Sequence, residues 1–173
     1  MGPNNATLLV RTRRRGAAAK AGHDLLLLVS SWEATLDIAR DPERSSLELV
    51  ADARSLRVQE GSGGLKPLSH EDRHAIHRTI DDEVLGGRRI EFRSTTIEPG
   101  RGDDRLRVHG ELSMAGRTRP VRFQLSVGPD GRISAGCTLR QTDWGIEPYS
   151  ALLGTLRVSD EVEVTAEGSL ASA

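Results

Sequence analysis

From Arg89 onward, apolar and polar residues alternate with a period of two. Ile90 and Phe92 alternate with Glu91 and Arg93. Leu106, Val108, Gly110, Leu112 and Met114 alternate with Arg107, His109, Glu111 and Ser113. Val121, Phe123, Leu125 and Val127 continue the pattern, then Ile133, Ala135, Cys137 and Leu139, then Val158, Val162, Val164 and Ala166. Such a period leaves one face of each strand dry and the other wet. Several strands of this kind joined by short turns close into a barrel or a sandwich. The pattern also predicts a first strand from Thr7 to Arg13. It predicts a bent strand or hairpin pair from Leu25 to Val29 and on through Trp32, Ala34, Leu36 and Ile38. Leu47, Leu49, Ala51 and Ala53 form a further apolar face.

Between these strands the chain carries turn and helix signals. Gly16 to Gly22 reads as a short helix or a wide turn, Asp41-Pro42 as a turn, and Gly61 to Gly64 as a flexible loop. The one clear helix follows Pro67. Ser69 with Asp72 three residues later forms a capping box with Asp in place of Glu. Ile76, Ile80 and Val84 make an apolar stripe facing the strands, and Gly86-Gly87 ends the helix. Gly100 to Asp104, Ala115 to Thr118 and Gly128 to Gly131 read as hairpin connections.

Composition narrows this picture. A chain of 173 residues suits one domain over residues 1–173, with an ordered core of about 6–168. Aromatics make up only 3%, so a barrel interior built of Leu, Val, Ile and Ala has few large plugs and leaves room for a cavity. A net charge of -1 gives no electrostatic footprint for nucleic acid. Cys137 is the single cysteine, which excludes an intrachain disulfide and reads as a small buried hydrophobe. The first residues carry no basic-then-apolar leader, and the run Leu25 to Val29 is too short to span a bilayer. The expectation is a soluble cytoplasmic protein without a transmembrane segment.

Chemistry-bearing residues are sparse. His70, His74 and His77 fall within about 60° of one helix face, and imidazoles at that spacing are weak candidates for a metal site. His23 and Asp24 are adjacent on a strand and point to opposite faces. Arg11, Arg13, Arg14 and Arg15 form a basic cluster, read as a solvated strand end or as a contact for anionic headgroups. Trp144 and Tyr149 flank a loop that caps the barrel end by packing or by gating. No Ser, Cys or Lys shows a nucleophile setting, so nothing specifies an enzyme.

Four segments resemble the YceI-like family, bacterial lipocalin-like proteins described as polyisoprenoid-binding. They are Phe92-Arg93-Ser94-Thr95, the hairpin from Val108 to Val121 with its Gly116-Arg117-Thr118-Arg119-Pro120 turn, Gln141-Thr142-Asp143-Trp144-Gly145-Ile146, and Asp160-Glu161-Val162-Glu163-Val164. The resemblance implies an eight-stranded antiparallel lipocalin-like barrel with a helical excursion near its opening. It also implies a long apolar guest, such as an isoprenoid quinone or a fatty amide, held inside. Together these observations predict a non-catalytic carrier with no cofactor beyond that isoprenoid or fatty ligand. Phe92, Leu112, Met114, Phe123, Leu125, Cys137 and Leu139 are its candidate lining. The alternatives are a metal-responsive or protein-interaction module on the His-rich helix, and a lipocalin-like enzyme acting on a bound lipid. An exposed sheet edge or the Leu152-Leu153 loop could support a homodimer.

Overall fold

The computed structural model describes residues 1–102 and 104–170. The predicted alternation becomes one long antiparallel sheet. Its strands are β1 (Ala6–Thr12), β3 (His23–Val29), β4 (Trp32–Asp37), β5 (Ser46–Asp52), β6 (Leu56–Gly63), β7 (Arg89–Pro99), β8 (Arg105–Met114), β9 (Arg117–Val127), β10 (Arg132–Arg140) and β13 (Glu161–Ser169). They lie in the order β4-β5-β7-β8-β9-β10-β13-β1-β3-β6. A small second sheet joins β2 (Arg14–Arg15), β12 (Leu156–Val158) and β11 (Ser150–Ala151). Val158 therefore belongs to this small sheet and not to the strand that carries Val162.

The main sheet has ten strands, not the expected eight, and its ladder does not close: β4 and β6 are its two ends. The architecture is a curved half-barrel. The physical reason lies at two interruptions. The apolar run from Leu25 to Ile38 breaks at Ser30-Ser31 into β3 and β4, and the next run breaks at the 3-10 turn Ala53–Ser55 into β5 and β6. The breaks face each other. Ser30 N–H donates to the Ser55 carbonyl at 3.1 Å, and Asp52 N–H donates to the Ser31 carbonyl at 3.0 Å. Two long strands thus become four short ones around one corner. Register shifts at Leu26/Leu27 and at Ser94/Thr96 add further bends.

Gly61 to Gly63, expected as loop, extends β6 and pairs with Leu25, Asp24 and His23. Glycine makes that possible. A Cβ at Gly61 would lie 2.3 Å from Leu68, and one at Gly63 would sit inside the Arg14 guanidinium. The strand runs on because Leu68 and Arg14 can cross it. Among the expected turns, Ala115 and Gly116 both take positive φ (50° and 80°) and form a tight two-residue hairpin. The expected Gly100–Asp104 turn contains Asp103, which lies outside the described residues.

The helix α1 (His70–Thr79) begins at the predicted capping box: the Ser69 side chain accepts from the Asp72 amide, and Asp72 accepts from the Ser69 amide. It passes into a wider π turn, Ile80–Val84, whose marker is Leu85 N–H donating to the Ile80 carbonyl at 2.9 Å. The helix packs along β6. No helix among the described residues is long and apolar enough to cross a membrane.

The core occupies two zones of the concave face. Toward the Pro99 and Arg105 ends of β7 and β8, Ile97 and Val108 pair in register and are 0% exposed. The Pro42–Arg44 turn contacts β7. The other zone is hollow.

Candidate functional site

The hollow zone is a cavity of about 470 Å³ enclosed by the dry faces of the half-barrel and by the helix. That size falls in the range of about 300–1,000 Å³ typical of small-molecule pockets. Its wall is almost entirely Leu, Val, Ile, Ala, Phe and Met, and cavities of that chemistry stay dry. All seven residues expected as lining border it: Phe92, Leu112, Met114, Phe123, Leu125, Cys137 and Leu139. The Phe92 and Phe123 rings lie 5.4 Å apart at 56°. Gly110 lets Phe92 lie across β8, because a Cβ there would meet the ring at 2.4 Å. Burial alone raises the Cys137 thiol above its ordinary value, as an apolar wall requires.

Further wall residues come from elements that the alternation predicted but that were not singled out as lining. Trp32, Ala34, Leu47, Leu49 and Ala51 of β4 and β5 contribute, as do Ala75, Ile76, Thr79, Ile80 and Val84. The π turn explains how Ile76, Ile80 and Val84 share a wall over more than two helical turns. The signal for the strand residues was the same alternation that marked the later strands.

Apart from Thr79, the polar wall residues gather at one end. They are Thr12, Arg14, His23, Gln141, Tyr149 and Arg157. The Arg14 amide donates to Asp24 Oδ1 at 2.7 Å, and its guanidinium donates to the Gly22 carbonyl at 2.5 Å. His23 Nε2 lies 2.9 Å from the Lys66 carbonyl oxygen. His23 and Asp24 thus part to opposite sides, as their adjacency required. The basic cluster divides: Arg11 and Arg13 pair with Glu163 at 3.8 and 3.0 Å, Arg14 approaches Asp24, and Arg15 Nε donates to Ser159 Oγ at 3.0 Å.

The His-rich helix does not assemble a metal site. Among the described residues no group of three or more His, Cys, Asp or Glu could hold a metal ion. His70 and His74 stack edge to face at 4.6 Å. His77 turns away toward Asp81 at 3.5 Å, the Arg54 carbonyl at 3.1 Å and the Arg57 guanidinium. A cationic neighbour and a carbonyl occupy the imidazole that a third ligand would have supplied.

Trp144 packs rather than gates. It is 3% exposed, and its Nε1–H donates to the Leu112 carbonyl at 2.9 Å. The turn that carries it is tied to the start of β13: Asp160 accepts from the Thr142 amide at 2.9 Å and the Thr142 hydroxyl at 2.8 Å. Desolvation opposes ionisation of Asp160. The Thr142 donors and Arg140 outweigh it and hold the carboxyl below its ordinary value. Three of the four segments quoted from the sequence therefore meet at one wall joint, centred on Leu112, Trp144 and Asp160.

A half-barrel around an apolar cavity with one polar end defines the class of protein. A model of the YceI-like domain matches residues 22–170, and the chain belongs to that family. Solved structures agree on the fold. The chain is similar to Burkholderia cenocepacia BcnA, with a TM-score of 0.71 at 11% identity over 94% of each chain. It is also similar to the Campylobacter jejuni YceI protein, with a TM-score of 0.56 at 13% identity over 82% of each chain. A variant of that protein carrying a monobromobimane guest gives a TM-score of 0.58 at 13% identity, again over 82% of each chain. No curated protein matches the sequence.

Proposed function

We propose that this chain is a non-catalytic binding protein that encloses an apolar isoprenoid-like or fatty molecule. The carrying observation is the cavity of about 470 Å³ with its nearly unbroken aliphatic and aromatic wall. Each methylene moved from water into such a wall gains about 0.8 kcal/mol. A chain of several isoprene units is therefore held by burial, less the cost of immobilising it. Six polar wall residues at one end leave the ligand's polar head a place to stand. The family resemblance supports the same reading.

Trp32 on the wall supplies the test. An isoprenoid benzoquinone titrated into the protein should quench Trp fluorescence to saturation at one equivalent. An Ala135→Phe/Cys137→Phe variant fills the cavity from β10 and should abolish the saturable phase while keeping a cooperative melt. Unsaturable quenching, or equal quenching in the folded double variant, would contradict the reading.

A further inference from the structure

We infer that the β11–β12 turn is a membrane-docking tip that seats the polar end of the cavity on an anionic lipid bilayer. Among the described residues the exposed large hydrophobic side chains are Ile38, Leu65, Tyr149, Leu152 and Leu153. All but Ile38 flank this one end. Tyr149 borders the cavity, and Leu65 follows Gly64, whose Cβ position would overlap the His23 ring. Leu152 and Leu153 form the turn itself, whose neighbour Thr155 abuts Gly16 and whose Leu156 abuts Gly22.

The two leucines are built outward. Leu152, Leu153 and Gly154 all take positive φ, at 50°, 55° and 83°, a conformation that leucine rarely adopts. The turn is braced from within. Thr155 Oγ1 donates to the Leu152 carbonyl at 2.7 Å, and Arg157 Nε donates to the Gly154 carbonyl at 2.9 Å. Leu153 is 105% exposed and Leu152 58%. Nothing in the protein's own core gains from that arrangement, whereas an apolar phase outside it would.

Charge selects the occupant. Arg157 and Arg15 are exposed and directly opposite in the β12–β2 register. Like charges across a strand pair repel. Neither arginine joins an ion pair among the described residues. Of the nearby carboxylates, Asp24 faces Arg14, Asp160 holds Thr142 and Arg140, and Asp72 is bonded to Ser69 near Lys66 and His23; Glu147 stands exposed on the preceding loop. Exposed Lys20 and Lys66 add charge to this end of a chain whose net charge is -1. Apolar side chains with the unpaired Arg15 and Arg157 beside them match an anionic interface, where acyl chains lie below acidic headgroups. A second copy of this chain would bring the same cations against themselves. The tip goes beyond the cavity reading: docked there, an apolar guest passes between bilayer and cavity without crossing bulk water.

Flotation of the full chain with phosphatidylglycerol-containing vesicles, and with phosphatidylcholine vesicles, tests this without any cavity ligand. The wild type should float with the anionic vesicles and hardly with the neutral ones. Leu152→Ser/Leu153→Ser should lower the partition coefficient about tenfold or more. Arg15→Gln/Lys20→Gln/Lys66→Gln, which changes no residue of the cavity wall, should lower the preference for anionic lipid while the protein keeps a cooperative melt. A wild type that does not float, or a folded leucine variant that floats equally well, overturns the proposal. So does a concentration-dependent dimer that the leucine variant dissociates in the absence of vesicle binding. Quinone quenching measured on the same variants should be unchanged, so failure of the tip and failure of the cavity reading stay distinct.

Discussion

Two zones of one sheet carry the same alternating pattern and end differently. Around Ile97 and Val108 the dry face is filled, and both side chains are 0% exposed. Around Phe92, Leu112 and Cys137 the dry face borders a cavity of about 470 Å³. The strands are the same, β7 and β8. The cover differs: the helix and its π turn roof the second zone, and the cavity wall does not reach Ile97 or Val108. Alternation sets which face is dry. The element laid over that face decides whether the space is closed by side chains or left for a guest.

Truncation should separate the zones most sharply. Ile97→Ala should cost about 2–5 kcal/mol in urea unfolding, because the filled zone leaves a cavity where atoms had packed. An equal loss on truncating a cavity-wall residue such as Leu139→Ala would erase the contrast. A smaller effect is expected at the joint between wall segments. Trp144→Phe removes the donor to the Leu112 carbonyl and should cost about 1–3 kcal/mol; a neutral outcome would mean that another donor serves that carbonyl. Enlargement should invert the order. Overpacking a filled core costs about 1–3 kcal/mol, but Cys137→Leu points into open space and should stay within about 1 kcal/mol of the wild type. A large loss of stability on that change would show the cavity to be closed in solution.

The smallest effect is a pH dependence. Burial raises the Cys137 thiol, so the folded protein keeps its proton where the unfolded chain has lost it. That contribution to stability is complete below the ordinary thiol value of about 8.5 and falls away as the pH rises toward the raised folded value. Cys137→Ala should flatten the alkaline limb of the stability profile, measured as urea midpoints across the alkaline range. An unchanged limb would place the thiol in contact with water.

How much of this was legible follows from where the local period holds. Leu112, Phe123, Leu125 and Leu139 sit on unbroken runs, and their inward direction could be read directly. Ile97 could not be read that way. The register shift at Ser94/Thr96 changes its parity relative to Phe92, so both face inward five residues apart. The strand count failed for a related reason: the bends at Ser30-Ser31 and Ala53–Ser55 depend on how two distant segments meet. Gly61 to Gly63 looked like loop because composition does not show that Leu68 and Arg14 need room to cross a strand. The three histidines shared a helix face as predicted, yet Arg57 and Asp81 claim His77. The polar end was hidden because it assembles six residues from distant parts of the chain. The family-like segments were the clearest signal: each sends residues to the cavity, as Phe92, Leu112, Ile146 and Val162 show, while Trp144 and Asp160 tie the segments together.

The central claim is that the cavity holds an apolar guest. Protein purified from cells should be denatured in organic solvent, and the extract analysed by mass spectrometry beside that of the Ala135→Phe/Cys137→Phe variant. The account predicts a near-stoichiometric isoprenoid or fatty species from the wild type and its loss from the folded variant. An extract empty in both, from protein that also leaves added quinone unbound, would contradict it.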